Sequence, residues 1–407
     1  MAAFPKSDRI AIIGGSLGGL FAATMLLRRG FDVHVYERNA SALSGRGAGI
    51  VTHDQLHAAL REAGVQGSEQ QGIRIPGRRT YDREGKLIAE LAFPQVNTSW
   101  DVIFQMLRVR VPNDRYHLGK ALMRVEQGRD EVAAYFEDGT SIAADLLIGA
   151  DGIRSSVRAQ LLPTAVPAYA GYVAWRGLID EANFSAKSHA ALMDYFTFYL
   201  PPGEQILGYP VAGTGLELEA GQRRCNIVWY RPAEVLHALP RMLTDNAGRL
   251  HEWGIAPTLI AREVVAEMRS DAERLLPPAF SEAMRLSTLP LLQPIYDLTA
   301  SRMVFDRVVL IGDAAFVARP HVGAGVTKAA LDGIALADAL CEVTDLHSAL
   351  ARFATARLAF GQDMVTRSRD LGACLLPDQG STEERRRIAH YRSPEVLMRD
   401  SGSLAFL

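Results

Sequence analysis

The sequence predicts an α/β fold in which a Rossmann-like domain is interrupted by an inserted antiparallel sheet and followed by C-terminal helices. A short apolar run at 10–13 leads through a glycine-rich turn into an apolar helix at 20–29 and a second strand at 32–36. Between about 168 and 230 the segments become short, aromatic and β-branched, and Pro and Gly separate them, which is typical of antiparallel strands. Helical spacing of apolar residues returns after residue 323.

Composition limits the classes of protein to consider. The chain has 407 residues, of which 48% are hydrophobic and 22% charged, so it is neither disordered nor fibrous. Its 44 basic and 46 acidic side chains give a net charge of -2, which provides no general attraction to nucleic acid or to an anionic membrane. No apolar stretch approaches the roughly 20 residues of a membrane span, and the N-terminus lacks a signal-peptide pattern. We therefore expect a cytoplasmic protein.

Metal and disulfide chemistry find little support in the sequence. The three cysteines are far apart and show no CxxC spacing, and the histidines form no HxxxH or HExxH pattern. We expect no metal site.

The first half of the chain begins with a βαβ unit. The run at 10–13 suits a strand buried on both faces, and Gly30 ends the following helix. The elements predicted next are a helix at 51–64, a β-hairpin at 73–94, helical segments at 99–111 and 117–124, a hairpin at 131–142 and a buried strand at 144–150.

The second half begins with the antiparallel segments and ends in helices. After the sheet, helices are predicted at 233–253 and 260–272, a buried strand at 303–315, and helices at 323–341 and 346–372. This order indicates a discontinuous dinucleotide-binding domain, a substrate domain and a polar tail. Their predicted bounds are 1–71, 99–164 and 296–375 for the first, 72–98 and 165–295 for the second, and 376–407 for the tail.

The turn after the first strand carries the first candidate site. A dinucleotide-binding turn needs glycines for the tight turn, for backbone approach to a pyrophosphate and for helix packing. Gly14 and Gly19 fill the first and third positions, and the small Ser16 stands where the second glycine is usual. The helix start at Leu17 and Gly18 then offers free N–H groups to phosphates.

An acidic residue follows this turn at the expected distance. Glu37 lies at the end of the second strand, 18 residues after Gly19. Its carboxylate can accept hydrogen bonds from a ribose diol. The alternative is a solvated strand-end residue and glycines that serve packing alone.

A second candidate site is the Asp151-Gly152 pair, which ends the predicted strand at 144–150 and precedes a helix that starts near Arg154. The alternative, an ordinary helix cap by Asp151, is equally consistent with this segment alone.

The third candidate site is the strand end at Gly312-Asp313. Pro320 and a glycine-containing helix start formed by Gly323, Ala324, Gly325 and Val326 follow it. Asp313 can bind a polyol chain, and the N–H groups at 323–326 can meet the electron-rich edge of a ring. A capping aspartate and a helix-start glycine are the alternative.

Taken together and in this order, the three segments resemble the group A flavoprotein aromatic hydroxylases, the para-hydroxybenzoate hydroxylase type. The resemblance covers residues 8–375. Within that family, the stretches DRIAIIGGSLGGL, VYERNASALSGRGAGIV, YAGYVAWRGL and RVVLIGDAAFVARPH are similar to the hydroxypyridine hydroxylases and related N-heteroaromatic hydroxylases.

The resemblance implies that FAD occupies the dinucleotide-binding domain. The implied FAD contacts are Glu37 at the adenosine ribose, Asp151-Gly152 near the pyrophosphate with a second role toward NAD(P)H, Asp313 at the ribityl chain and pyrophosphate, and Pro320 with 323–326 at the isoalloxazine ring. Arg38, next to Glu37, is a further candidate for cofactor binding.

The resemblance also implies a reaction. NADH or NADPH reduces the flavin, O₂ gives a C4a-hydroperoxide, and the distal oxygen is transferred to a small electron-rich aromatic substrate, expected to be a hydroxylated pyridine or another N-heteroaromatic. A phenolic or benzoate-type substrate is the alternative, followed by an FAD reductase or a binding protein of the same fold. A homodimer is one option for the oligomeric state.

Four residues are candidates for contact with the substrate. His53 follows the GAGI segment and is a candidate base or hydrogen-bond donor, and Arg46 lies in the glycine-rich loop before it. Tyr209 lies on a predicted strand of the inserted sheet, and His321 follows Pro320. Each also has a structural interpretation: a helix-start residue for His53, an exposed loop side chain for Arg46, a core ring for Tyr209 and a helix cap for His321.

Two details of the pattern remain open. The family often has an arginine near the start of the 99–107 helix that reaches FAD, and here Arg108 or Arg110 is the candidate substitute. Trp175 and Arg176 are neighbours on a predicted strand, so at most one faces the pocket, and packing is the expected role of Trp175.

Overall fold

A computed structural model describes residues 8–43, 49–343, 345–375 and 381–404. The strands of these residues are, in chain order, β1 Arg9–Ile13, β2 Asp32–Tyr36, β3 Gly49–Val51, β4 Ile73–Tyr81, β5 Leu87–Ser99, β6 Tyr116–His117, β7 Leu122–Gln127, β8 Val132–Phe136, β9 Ser141–Ala144, β10 Leu146–Gly149, β11 Ala168–Asp180, β12 Phe196–Tyr199, β13 Gln205–Val211, β14 Arg224–Pro232, β15 Leu291–Thr299, β16 Val304–Phe305, β17 Val308–Leu310 and β18 Phe316–Val317. The α-helices are α1 Leu17–Arg28, α2 Asp54–Glu62, α3 Trp100–Arg108, α4 Ser156–Leu161, α5 Ala186–Leu192, α6 Ala238–Met242, α7 Arg262–Leu275, α8 Pro278–Leu286, α9 Gly325–Glu342, α10 Leu346–Leu371, α11 Thr382–Tyr391 and α12 Pro394–Asp400.

Five strands from distant parts of the described chain form the parallel core that the sequence predicts. Within the described residues a sheet has the order β16-β17-β10-β1-β2-β6, with β17, β10, β1, β2 and β6 parallel. The apolar residues of β1, β10 and β17 are buried in one core cluster with the helices α1 and α9 and with apolar side chains of a three-stranded sheet of order β7-β8-β9. The carboxyl ends of these strands lie together at one edge, which is where open α/β sheets bind ligands.

The inserted segments form a second sheet, and the mixed α/β fold class is confirmed. Its order is β18-β15-β11-β14-β13-β12-β4-β5-β3, and most of its pairs are antiparallel. Side chains alternate between its faces: Trp175 packs in an apolar cluster beneath α7 and α8, whereas Arg176 faces the opposite side.

Two predicted helical segments are wrong. The segment predicted as a helix at 117–124 instead forms β6 and the start of β7, because β6 pairs with β2 and Gly119 turns the chain at φ 71°. The helix predicted over 233–253 is reduced to α6, and isolated bridges tie Thr244 and Asp245 to neighbouring loops.

The C-terminal half supplies helices to both sheets. Helix α9 packs against α1, and α10 packs against α9. Ile388 of α11 and Leu397 of α12 join the apolar cluster of the second sheet, so these helices cover the face that Arg176 shares. Strand β3, which the sequence-based division placed in the first domain, pairs with β5 of the second sheet. Among the described residues, none of the helices combines the length and apolar character needed to cross a bilayer.

Candidate active site

Two adjoining cavities lie between the strand ends of the parallel sheet and the face of the second sheet. The larger has a volume of about 600 Å³ and the smaller about 430 Å³. Both are lined by Ser16, Trp100, Gly152 and Asp313, so they form one elongated space. The smaller cavity extends to Glu37, and the larger extends to the second sheet.

The glycine-rich turn is closely packed where the sequence predicts it. A Cβ on Gly14 would lie 2.4 Å from the carbonyl oxygen of Ala150, and one on Gly19 would lie 1.9 Å from that of Gly14. Gly14 has φ 110°, which an L side chain rarely adopts. Ser16 is the N-cap of α1, yet its side chain makes no capping hydrogen bond. Its hydroxyl and the first N–H groups of α1 are therefore free for a ligand in the cavity.

Glu37 supports this turn and also lines the smaller cavity. Its Oε2 accepts a hydrogen bond from the Gly15 N–H at 2.8 Å, and its Oε1 accepts one from the Asn39 N–H at 2.9 Å. Arg38 lines the same cavity. A carboxylate oxygen has capacity for more than one hydrogen bond, so Glu37 can also accept from a ribose.

The Asp151-Gly152 turn combines the two roles that the sequence left open. Asp151 Oδ2 accepts from the N–H groups of Ser156 and Val157 at 2.7 and 3.2 Å, so it caps α4. Burial raises the pKa of this carboxyl group. Asp151 and Gly152 also line the smaller cavity, and a Cβ on Gly152, at φ 79°, would meet no atom within 4 Å.

Asp313 lies at the junction of the cavities and has a lysine neighbour that the sequence reasoning did not assign to the site. Its side chain is 50% exposed, and Lys328 Nζ lies 3.4 Å from Oδ1. Lys328 itself is only 1% exposed, so its charge is directed at this junction. Lys328 is the fourth residue of α9, and this position after the glycine-rich helix start is the signal that would have identified it.

The loop from Pro320 to Val326 forms the wall between Asp313 and the second sheet. Gly323 adopts φ 62°, and a Cβ on Gly325 would meet no atom within 4 Å. The side chain of Ala324, the N-cap of α9, provides no hydrogen bond to the helix. The start of α9, like that of α1, therefore presents uncapped N–H groups to the cavity.

These residues fit FAD. Two uncapped helix starts face one elongated space, as a pyrophosphate and the edge of a flavin ring require. A Cβ on Gly18 would come no closer than 3.6 Å to Ala329, which leaves the backbone open to the cavity. Glu37 lies at one end, where a ribose would need a hydrogen-bond acceptor, and Asp313 lies at the junction, where a ribityl chain would need one.

The far end of the larger cavity is walled by rings and aliphatic side chains of the second sheet. Tyr209, Tyr230, Phe196 and Leu207 line this end. Tyr209 stacks on Phe196 with centroids 4.6 Å apart, and burial raises the pKa of its hydroxyl, so it stays protonated. The structure therefore places Tyr209 at the cavity wall.

His321 also faces this end of the cavity. Its Nε2 lies 2.9 Å from the Tyr172 hydroxyl, and within the described part of the chain its buried Nδ1 has no hydrogen-bond partner. Burial and, to a smaller extent, the charges of Arg319 and Arg176 lower the pKa of His321 to about 3. The ring is therefore neutral near pH 7.

Arg176 is the cation of the substrate end, and the sequence reasoning did not select it as a site residue. It lines the cavity, and its charge opposes the rise in the pKa of Tyr209 and Tyr230 that burial causes. It forms no ion pair with a carboxylate in the described ranges. Its alternation with the buried Trp175 was the signal that could have identified it.

His53 does not line the larger cavity, which corrects the expectation that it faces the substrate side of the flavin. Its Nδ1 lies 3.1 Å from the Thr327 hydroxyl, and its Nε2 lies 3.1 Å from the carbonyl oxygen of Gly402. These contacts turn the ring toward the C-terminal segment. Burial lowers its pKa to about 4, so it is neutral near pH 7.

Among the described residues, Arg108 and Arg110 do not line either cavity. Arg108 donates to the carbonyl of Val111 and lies over the ring of Tyr116, and Arg110 donates to the carbonyl of Gly64, because both extend from the far end of α3. Trp100, at the start of α3, lines both cavities instead. Arg46 lies outside the described residues.

Comparison with known proteins agrees with this geometry. The family described as FAD binding domain matches residues 8–206 and 284–368, and one described as FAD binding domain-like matches 169–297. The chain is 34% identical over 378 residues to 2,6-dihydroxypyridine 3-monooxygenase of Paenarthrobacter nicotinovorans, which covers 91% of this chain and 92% of that protein. It is 30% identical to 6-hydroxynicotinate 3-monooxygenase of Pseudomonas fluorescens, with 83% of this chain and 84% of that protein covered.

The fold is shared with a solved structure. The 2,6-dihydroxypyridine-3-hydroxylase from Arthrobacter nicotinovorans superposes with a TM-score of 0.86 at 32% identity, and the match covers 91% of this chain and 93% of that one. The chain belongs to the FAD binding domain family, and it is an FAD-dependent aromatic monooxygenase with NAD(P)H as co-substrate.

Proposed function

We propose that this enzyme hydroxylates a small hydroxylated pyridine. One observation carries the proposal: the ring-lined end of the larger cavity contains Arg176, a cation without a carboxylate partner in the part of the chain described. Such a site suits a flat ring that bears an acidic hydroxyl group. The similarity to a dihydroxypyridine monooxygenase supports the same substrate class.

FAD bound in this space would supply the oxygen-transfer chemistry, with NAD(P)H as the reductant and O₂ as the source of the oxygen atom. The chain itself binds and polarises the substrate. A guanidinium a few ångströms from a hydroxyl group favours its ionised form. Loss of that proton enriches the ring in electrons, which makes its carbons better targets for an electrophilic oxygen. We assign this activation to Arg176.

His321 complements Arg176 as a neutral hydrogen-bond donor. Arg319, which can only donate, lies against the Tyr172 hydroxyl. Burial raises the pKa of Tyr172, so this hydroxyl keeps its proton and donates a hydrogen bond to His321 Nε2, 2.9 Å away. The ring hydrogen then resides on Nδ1, a buried atom that has no hydrogen-bond partner among the described residues.

The aromatic wall excludes water from the reacting atoms. Tyr209, Tyr230 and Phe196 surround the space in which the substrate would lie. Exclusion of water limits the side reaction that releases hydrogen peroxide.

A benzoate-type or nicotinate-type substrate is the second candidate. Arg176 could pair with a carboxylate in a bidentate manner, and one relative is named for 6-hydroxynicotinate. Comparing 2-hydroxypyridine with 6-hydroxynicotinate separates the two candidates, because the rings match and only the second carries a carboxylate.

The test is a substrate panel with isotopically labelled O₂. When each ring saturates the enzyme, hydroxypyridines should give the highest rate of NAD(P)H oxidation. They should also yield a product that carries one labelled oxygen. Preference for the carboxylate-bearing ring would favour the second candidate, and the absence of labelled product from every ring would reject both.

Two finer assignments are also proposals. We propose a cytoplasmic location, supported by three unpaired cysteines, Cys225, Cys341 and Cys374, which suit a reducing compartment. We propose a homodimer, which light scattering of the purified enzyme would test. A monomer mass would reject it.

A further inference from the structure

The C-terminal segment forms part of the wall of the substrate cavity. Met398 of α12 and Ile388 of α11 pack in the same apolar cluster as Leu207 and Tyr209, two residues of the cavity face. Ser401 and Gly402, which follow α12, line the larger cavity directly. The sequence-based division treated this region as a tail.

One buried arginine of the second sheet holds the end of α12. Arg78 of β4 has no exposed surface, and its Nη1 donates to the carbonyl oxygens of Met398 and Ser401. Its Nη2 donates to Gln95 Oε1 at 2.9 Å, and its guanidinium lies 4.0 Å above the ring of Phe93. The last carbonyls of a helix lack partners within the helix and carry partial negative charge. Arg78 therefore caps α12 from the sheet.

Burial changes the electrostatics of this cap without removing its charge. Burial lowers the pKa of Arg78 to about 9, and the carboxylate of Asp400 opposes that shift. The guanidinium is thus still protonated near pH 7. Asp400 itself pairs with Arg367 at 2.8 Å, so the carbonyls are the direct partners of Arg78.

The turn held by Arg78 is bonded to the loop that contains His321. The N–H of Gly402 donates to the carbonyl oxygen of His321 at 3.1 Å. Its own carbonyl accepts from His53 at 3.1 Å and from Gln95 Nε2 at 3.3 Å. A Cβ on Gly323 would lie only 2.7 Å from the Gly402 Cα. The turn and the loop therefore cannot move independently.

We propose that Arg78 is a positioning residue for catalysis: by capping α12 it keeps Ser401-Gly402 in place as a cavity wall and fixes the loop that carries His321. The proposal assigns His53 to the same group, as a positioning residue that holds Gly402. The effect of Arg78 on catalysis rests on the proposed function, whereas its capping of α12 does not. Loss of the cap would let water reach the reacting atoms, so reducing equivalents would be lost as hydrogen peroxide.

Replacement of Arg78 by methionine tests this directly. In the FAD-loaded enzyme, Arg78→Met should raise the fraction of NAD(P)H that ends as peroxide at least about threefold while NAD(P)H oxidation continues. Arg78→Lys keeps a charged donor but loses the planar guanidinium that donates to several acceptors. Its peroxide fraction should lie between those of the parent and of Arg78→Met. The matched control is Arg79→Met, because Arg79 is the next residue and pairs with Glu90 near the surface.

A second readout does not depend on the substrate. Hydrogen exchange of 394–404 in the FAD-loaded protein should be faster in both Arg78 variants than in Arg79→Met. Iodide should also quench the flavin fluorescence more strongly in both variants. If no ring is hydroxylated by the parent, the proposed function fails while these two measurements still test the positioning role.

Equal peroxide fraction, exchange and quenching in the Arg78 and Arg79 variants would overturn the proposal. If Arg78→Met fails to fold, the Arg78→Lys variant carries the same comparison. Faster hydrogen exchange in the Arg78 variants with an unchanged peroxide fraction would show that Arg78 is a purely structural cap, and this result would also overturn the proposal.

Discussion

At the scale of single residues, two polar groups distinguish the substrate end of the cavity: the guanidinium of Arg176 and the Nδ1 atom of His321. Within the described residues, Arg176 brings a cation without a carboxylate partner, and His321 brings a buried Nδ1 without a hydrogen-bond partner. The sequence indicated that only one of Trp175 and Arg176 would face the pocket, since neighbours on a strand alternate. Packing was the expected role of Trp175, and Trp175 lies in the apolar cluster beneath α7 and α8, which leaves Arg176 on the cavity side.

Removal of the Arg176 charge should weaken substrate binding. A hydrogen bond to a charged group contributes roughly 1.5–3 kcal/mol, so Arg176→Met should raise KM by about one to two orders of magnitude. Arg176→Lys should recover part of this loss. The measurement is steady-state kinetics with the preferred ring, and an unchanged KM in Arg176→Met would remove Arg176 from the substrate site. Arg124→Met, on the exposed strand β7, is the control.

His53 and His321, whose pKa values the fold lowers most strongly, make stability depend on pH. Burial lowers the pKa of His53 to about 4 and that of His321 to about 3, whereas both rise toward 6.5 on unfolding. The unfolded chain therefore binds more protons below about pH 6.5, and stability must fall as the pH decreases through that range.

This dependence can be assigned to one residue by substitution. For each such histidine, the free energy of unfolding should fall by about 2 kcal/mol as the pH is lowered from 7 to 5. The difference in melting temperature between these pH values should be smaller in His53→Gln than in the parent. His347→Gln, on an exposed position of α10, should behave like the parent. The same drop in all three proteins would show that His53 is not buried in its neutral form.

At the scale of secondary-structure elements, the cofactor end was the most predictable part of the molecule. The turn after β1 must bring Gly14 and Gly19 into contact, and only glycine allows that approach. Such a local steric requirement is visible in a sequence. The helix prediction at 117–124 is wrong because the apolar spacing of the segment fits a helix, whereas its two ends pair as strands, His117 with β2 and the residues from Leu122 onward with β8.

The two adjacent glycines of α1 should respond differently to alanine. A Cβ on Gly19 would lie 1.9 Å from the Gly14 carbonyl oxygen, so Gly19→Ala should disrupt the turn and lower the yield of folded protein. A Cβ on Gly18 meets Ala329 only at 3.6 Å, so Gly18→Ala should fold.

The informative quantity is FAD affinity, measured by fluorescence titration of the apoprotein. Gly18→Ala should bind FAD about tenfold more weakly, because the added methyl group would occupy space that the pyrophosphate needs. Parent-like affinity in Gly18→Ala would mean that the pyrophosphate does not approach α1 at this point.

At the scale of the whole molecule, the active site depends on contacts between distant parts of the chain. Arg78 caps a helix more than 300 positions later in the chain, as its hydrogen bonds to Met398 and Ser401 show. Strand β3 similarly crosses from the first domain into the second sheet. Such pairings depend on the assembled fold rather than on local pattern, so the sequence reasoning described residues 376–407 only as a tail. It also placed His53 in the wrong cavity for the same reason.

The substrate assignment is tested most directly by the fate of labelled O₂. The parent enzyme, loaded with FAD and supplied with NAD(P)H and dihydroxypyridine, should release a product that is heavier by one oxygen atom and carries the label. A product that lacks the label, or NAD(P)H consumption that ends entirely in peroxide with every hydroxypyridine, would contradict the account.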